Sequence, residues 1–354
     1  MKTIMKTLLV SIASLSMMFS ANSGELAVSG TAKATYNATS GDVTSNNGIG
    51  VTNELNFTAS GEMDNGFTWS YSMELDPTTK GDSAATPTAT QPGGALNDDT
   101  QISLTMNDLG TVKFCVSECG NNKKYSWDQS AYTSMTDTGH SSGIGYPSSE
   151  AAYASMQYHT PELPFSTTAT IAYGNVKSDG QSGNTKGTAG NSMNAYSLTT
   201  KPIDGLTLTG AYYDVQDYGD GITTEQQLEE GGAWAATYAS GAITVGYGKS
   251  FKAPERTTAI GAAGATVVEY YENTGMSIGY AVNDDLSVSF TREESEANYM
   301  TSATVSNDVE MDSIQIAYSL GGATLSVARA EYENIGYELN KDATETIIAM
   351  SFAF

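Results

Sequence analysis

Cys115 and Cys119, in "KFCVSECGN", are the only cysteines of the 354-residue chain. Two thiols this close can close a tight loop as a local disulfide, which requires a turn because an extended strand would hold them too far apart. The other reading is a pair of ligands for a soft metal, but no second Cys or His cluster lies nearby, and His140 and His159 are isolated. Two further stretches imitate binding motifs. "GYGKS" at 246–250 ends like a phosphate loop, but the required first glycine would fall on Ile243. "YDVQDYGDG" holds Asp214, Asp217 and Asp220 without the spacing or the bidentate Glu of a calcium loop. Weak divalent-cation binding by such acidic loops is the one cofactor or metal reading left open. Nothing local resembles a Ser-His-Asp triad or a catalytic carboxylate pair, so the chain is read as no enzyme.

The segments that must position these residues alternate with period two. In "FTWSYSMEL", Phe67, Trp69, Tyr71, Met73 and Leu75 share one face against Thr68, Ser70, Ser72 and Glu74. The closing "TETIIAMSFAF" places Ile348, Met350, Phe352 and Phe354 on one face and Ile347, Ala349, Ser351 and Ala353 on the other. A strand so greasy on one side and small or polar on the other does not suit an ordinary soluble sheet. With 36 Gly, 8 Pro and 21 Tyr and no long window of helical periodicity, about sixteen such strands are counted. Short turns such as "NDLG", "PIDG", "NDD" and "GG" alternate with long polar connections.

The first residues explain where such strands would go. Lys2 and Lys6, the apolar run from Leu8 to Phe19 and Ala21-Asn22-Ser23 have the order of a secretory signal cleaved after Ser23, so residues 1–23 are read as leader and 24–354 as a single domain. Losing Lys2 and Lys6 takes the formal charge from −24 to −26, which excludes nucleic acid as a partner and attracts cations. No later stretch reaches the ~18 apolar residues of a transmembrane helix, so an exported chain that enters a membrane must do so as a closed barrel. The expected fold is an all-β, transmembrane antiparallel β-barrel in the outer membrane, with both termini on the short-turn side. Tyr36, Tyr71, Tyr158, Tyr173, Tyr212, Tyr238, Tyr280 and Tyr318 fall near strand ends on its lipid face, as aromatic girdles.

"GELAVSG" after the leader, "NDLGTVKF" before the longest loop, the sixteen alternating strands and the terminal Phe354 together resemble the general Gram-negative porins over the whole mature chain. The resemblance implies an outer-membrane homotrimer of barrels surrounded by lipid, each with a water-filled pore for small hydrophilic solutes and ions, narrowed by a third loop folded inward. It implies also that Phe354 is the C-terminal signal offered to the barrel assembly machinery. By position that third loop is 118–149, with Glu118, Asp128 and Asp137 as constriction residues, Lys123 and Lys124 beside them, and Trp127, Tyr125 and Tyr132 to pack it on the wall; the cysteine pair would brace its base.

Alternation turns Lys33, Glu54, Glu74, Lys113 and Lys201 toward the lumen. The family's cluster of wall arginines is missing, for only Arg256, Arg292 and Arg329 exist, and Arg256 and Arg292 fall near loops. The pattern of Leu325 and Val327 would point Arg329 and Glu331 at lipid; a bulge that returns Arg329 to the pore is expected in preference to burial at the trimer contact. Acidic stretches at 97–99, 229–230 and 292–296, read as lying in or beside outer loops, make the pore cation-preferring. A solute-specific channel, a structural or adhesive barrel and a barrel enzyme are the competing readings.

Overall fold

The computed structural model describes residues 25–43, 47–75, 98–116, 119–121, 123–131, 142–148, 153–177, 192–216, 227–256, 267–300 and 306–354. The leader 1–23 lies outside them, as do Glu118, Tyr132, Asp137, His140, Asp217 and Asp220.

Sixteen antiparallel strands follow in chain order. They are β1 (Glu25–Gly41), β2 (Gly48–Glu62), β3 (Thr68–Leu75), β4 (Asp98–Thr105), β5 (Thr111–Val116), β6 (Tyr153–His159), β7 (Thr168–Lys177) and β8 (Ser192–Ile203). The second half comprises β9 (Leu206–Gln216), β10 (Glu230–Ser240), β11 (Ile243–Ala253), β12 (Val268–Ala281), β13 (Leu286–Tyr299), β14 (Val309–Ser319), β15 (Ala323–Glu333) and β16 (Ala343–Ala353). Each pairs with its sequence neighbours and β1 pairs with β16, so the barrel closes with no free edge. Every strand therefore finds partners for its backbone N–H and C=O groups on both sides, as hydrocarbon surroundings demand.

The seam is tied at one end by reciprocal bonds, Gly30 N–H to the Phe354 carbonyl at 2.8 Å and Phe354 N–H to the Gly30 carbonyl at 3.0 Å. A Cβ on Gly30 would come within 2.7 Å of the Phe354 ring, so the residue there must be glycine. The tight turns lie at this same end. Gly205 and Gly321 turn two of them with φ of 76°, a conformation that glycine adopts without steric cost.

The two faces separate as the sequence pattern requires. Ile102, Phe114, Met156, Ile171, Trp234, Ile278, Ile314 and Ile348 are exposed outward, and the inner face of the same strands carries mostly Ser, Thr, Gln, Gly and Ala. Seven of the eight expected girdle tyrosines are exposed there, and Tyr71 is half-buried. "GYGKS" is an ordinary part of β11.

Arg329 corrects the sequence reading. Both ladders of β15 run without a register shift, with Arg329 opposite Ile314 on β14 and Thr346 on β16. No bulge turns it inward; it stands on the outer face with Glu331 at 3.0 Å, the side chains 58% and 60% exposed. Arg292 and the "REESE" stretch lie within β13 and not in a loop. Arg292, Asp312 and Glu331 sit in one cross-strand row, and Arg292 grips Asp312 at 2.5 Å. On these strands the outer face changes from apolar to charged at one level, toward the long-loop end. Exposed pairs of this kind contribute at most about 1 kcal/mol each.

Cysteines placed at Trp69 or Ile348 in the otherwise intact chain are expected to react with lipid-soluble probes in reconstituted membranes and to resist charged aqueous thiol reagents. Rapid aqueous labelling at both would contradict the assigned faces.

Candidate pore and constriction loop

The connection from β5 to β6 leaves the inner wall through a covalent brace. Cys115, on the lumen face of β5, is disulfide-bonded to Cys119, with Cα atoms 6.1 Å apart. The Cys119 carbonyl accepts the Gln157 side-chain amide at 2.7 Å and that of Asn121 at 3.2 Å. Gln157 is 1% exposed on β6, so the loop starts its course pinned to the wall it has just left.

It then crosses to the opposite wall, where Trp127 is its anchor. Trp127 is 2% exposed and belongs to a cluster with Ala235, Met311, Ala330, Tyr332, Ile335 and Ala343. Its indole N–H donates to the Lys124 carbonyl at 3.1 Å. The space for it exists because β11 and β12 present Gly246, Gly248 and Gly275: a Cβ at any of the three would run into Trp127. Hydroxyls hold the adjoining backbone. Ser277 donates to the Trp127 carbonyl at 2.5 Å and accepts Gln129 N–H at 3.0 Å, and Ser289 accepts Ala131 N–H at 2.7 Å.

The returning half is fixed by polar contacts. Tyr146 donates to Glu293 at 2.9 Å, Gly145 N–H donates to the Tyr337 hydroxyl at 3.2 Å, and Asn273 donates to the Gly145 carbonyl at 3.3 Å. Ser148, Tyr213, Glu229 and Lys252 close a ring: Ser148 N–H to Tyr213 at 2.9 Å, Tyr213 to Glu229 at 2.9 Å, Lys252 to Glu229 at 3.4 Å and Lys252 to Ser148 Oγ at 3.0 Å. The inward-folded loop expected from sequence is therefore observed, with Trp127 and Tyr125 packed as foreseen.

Charges are sorted within this structure. Lys124 lies over the Tyr125 and Tyr146 rings, 4.9 and 5.4 Å from their centroids. Burial lowers its pKa, nearby Glu293 opposes that shift and Lys252 adds to it. The Tyr146 phenol is pushed well above its ordinary value, first by burial and then by the Glu293 carboxylate beside it.

The other half of the lumen is left open. On β1 and β2 the inward positions Ser29, Thr31, Thr52, Glu54 and Thr58 are exposed, whereas Thr291, Ser295, Ser313, Gln315 and Ser326 on β13 to β15 are buried. Lys33, Glu54, Glu74 and Lys113 all occupy inward register positions: Lys33 between Thr52 and Ser351, Glu54 opposite Thr31, Glu74 opposite Asn56, Lys113 between Ser103 and Gln157. Thr31 donates to Glu54 at 3.2 Å. Asp128 sits in the loop and accepts Ser130 N–H and Oγ at 3.0 and 2.5 Å, while Lys201 is exposed at a strand end.

The sequence reading missed Glu293 and Glu345, two inward carboxylates 2% and 1% exposed. Glu345 accepts the Asn37 side-chain amide and, at 3.5 Å, the Tyr332 hydroxyl. Strict alternation from Phe290 and from Ile348 would have placed both inside. Among the described residues no group of His, Cys, Asp and Glu has the arrangement of a metal site.

A closed sixteen-strand barrel with an apolar outer face and a loop pinned across a polar lumen is a porin-type outer-membrane channel. The model of the Gram-negative porin family matches residues 7–341, and the chain belongs to that family. Among solved structures it is similar to OmpF of Salmonella typhi in complex with daunomycin, at 15% identity and a TM-score of 0.67 over 95% of this chain and 100% of that one. An anion-selective porin from Comamonas acidovorans matches at 12% identity and a TM-score of 0.66, over 94% and 100%. The trimer form of OmpT from Vibrio cholerae matches at 11% and 0.63, over 94% and 100%. No curated protein matches the sequence.

Trp127→Ala is expected to lower the stability of the loop's docking by about 3 kcal/mol and to give larger, noisier openings in planar bilayers while the barrel stays folded. Unchanged single-channel currents would show that the seat does not set the aperture. A second expectation concerns alkali. Tyr337 lies outside the strands, and its pKa is pushed up from 10.0 to about 12 by burial, against the hydrogen bonds from Ser295 and Gly145. A phenol with a raised folded-state pKa contributes stability that is complete below pH 10 and lost as pH climbs to about 12. Protease cleavage within the loop should rise across that window with the β-sheet circular dichroism unchanged, and flat cleavage would refute the assignment.

Proposed function

We propose that this porin is a passive diffusion channel for small hydrophilic solutes and ions, prefers cations, and acts as a homotrimer after loss of residues 1–23 as a secretory signal. The observation that carries the selectivity is the balance of the open wall. Two lysines, Lys33 and Lys113, share it with two glutamates, Glu54 and Glu74, in a chain with 40 acidic against 16 basic residues. With the wall near neutrality, the acidic surplus elsewhere governs the field.

A mouth of one sign raises the local concentration of counter-ions, and low-dielectric walls focus the field into the lumen. Glu272, Glu294, Glu296, Glu310 and Glu333 stand toward the long-loop end of β12 to β15, and Asp308, Glu338 and Asp342 lie beyond the strands at that end. These charges act across water, where screening falls to a Debye length of about 8 Å at physiological ionic strength. The preference for cations should therefore be clear in dilute salt and fade in concentrated salt. Homotrimeric assembly draws support from the OmpT trimer form, and the greasy outer faces of β16 and β1 leave room for both lipid and neighbour. Recognition of Phe354 by the barrel assembly machinery is part of the same proposal.

The measurement is the reversal potential of reconstituted channels under a potassium chloride gradient. The expected sign is that of potassium permeation at low salt. An anion-preferring sign there would show that the basic residues near the constriction control permeation.

A further inference from the structure

We infer that the Cys115–Cys119 disulfide is a site of thiol–disulfide exchange with small thiols that enter the pore, and that the exchange resets the root of the constriction loop. Cys115 lies on the lumen face of β5, between Gln101 on β4 and Ser155 on β6, and is 3% exposed. Cys119 is the half-buried partner, so its Sγ is the sulfur that a solute in the bore can reach. Lys113 stands at the preceding inward position of β5, between Ser103 and Gln157. Its positive charge is thus on the same face as Cys115, the sulfur that must depart as an anion.

The exchange takes two displacements. A solute thiolate attacks Cys119 Sγ, a mixed disulfide forms, the Cys115–Cys119 bond breaks, and Cys115 leaves as a thiolate favoured by the Lys113 ammonium. A second solute thiolate then attacks the solute sulfur of the mixed disulfide and releases Cys119. The solute is oxidised to its own disulfide and the protein bond is reduced, the protons given up by the solute thiols ending on Cys115 and Cys119. The reductant is a hydrophilic thiol of low molecular mass, of the size that a water-filled pore admits.

The bond holds the loop and not the barrel. β5 keeps its ladders to β4 and β6 through Cys115 itself, and a ring closed over a sequence separation of 4 restrains the unfolded chain far less than a long one. Reduction therefore leaves the sheet closed. At the loop root it has more effect: Cα atoms now held 6.1 Å apart gain a reach of about 13 Å, that of four extended residues. What remains there is the Cys119 carbonyl, bonded by Gln157 at 2.7 Å and Asn121 at 3.2 Å. Trp127 still anchors the loop on the opposite wall. The freed root moves off the wall of β5 and β6 into the lumen, where it narrows the path and adds flicker to the current.

The test uses the folded full chain with L-cysteine as the probe thiol. In planar bilayers L-cysteine should lower the single-channel conductance and raise its flicker, and the thiol oxidant diamide should restore both. In parallel samples, alkylation followed by mass spectrometry should show both cysteines modified while the β-sheet circular dichroism stays unchanged. Lys113→Gln should slow that reduction about threefold, since the leaving sulfur loses its neighbouring charge. A thiol carried on a polymer too wide for the pore should reduce the folded protein far more slowly than L-cysteine does. Cys115→Ser/Cys119→Ser should start in the low, flickering state and ignore L-cysteine; reduction of the native chain decides the matter even where that variant fails to assemble. Complete alkylation with unchanged currents overturns the effect on the loop. A folded chain that resists L-cysteine, or that both thiols reduce at equal rates, overturns the exchange site. The inference rests on the channel reading for access and for current: no current before thiol is added would fail the channel and leave alkylation to judge the exchange, whereas a current unaltered by complete reduction fails this inference alone.

Discussion

The demand that every backbone N–H and C=O find a partner where no water is present governs this molecule. Among the described residues no helix is long and apolar enough to cross a membrane, and closure of the sheet on itself, through the pairing of β1 with β16, meets the demand instead. Closure then fixes the alternation of faces for all sixteen strands. It forces the greasy side chains outward and leaves an interior that must be satisfied by water or by polar protein.

The constriction loop answers the second requirement over one half of the barrel. It delivers backbone donors to Ser277, Ser289, Tyr213 and Tyr337 and receives the Asn273 amide, so the inner wall of β9 to β13 is hydrogen-bonded without filling the whole bore. The remaining half, lined by Ser, Thr, Lys and Glu of β1 to β5, keeps its water. Division of labour between the two walls, and not a centred ring of charge, is how this chain makes a narrow aqueous path.

Much of this was legible from residue order. Period-two alternation in "FTWSYSMEL" and "TETIIAMSFAF" assigned faces without knowledge of strand partners, because neighbouring side chains on a strand must point apart. The cysteine spacing suggested a local disulfide, and Cys115 and Cys119 are bonded. Arg329 was misjudged for a physical reason: the sequence shows which face a residue takes but not its cross-strand neighbours, and on the folded barrel Arg329 stays on the outer face paired with Glu331, beside the charged row of Arg292, Asp312 and Glu331, without a bulge. Glu293 and Glu345 went unseen because their partners, Tyr146 in the loop and Asn37 on β1, become neighbours only when the loop folds and the seam closes.

The seat of Trp127 links two distant parts of the gene product. Gly246, Gly248 and Gly275 leave bare backbone on the inner wall, where an indole from another stretch of chain completes the surface. Gly275 and Trp127 are therefore bound to one another: a side chain gained at Gly275 runs into the indole and needs its loss, one at Gly246 would meet the Trp127 carbonyl itself, and loss of the indole leaves a hollow that the glycines cannot fill. A constriction loop grafted from a relative would fit only if its anchor and the host's wall match in volume. Change in the aperture of this pore is thus expected to proceed by paired replacement of loop and wall, a constraint on its evolution as much as on its engineering.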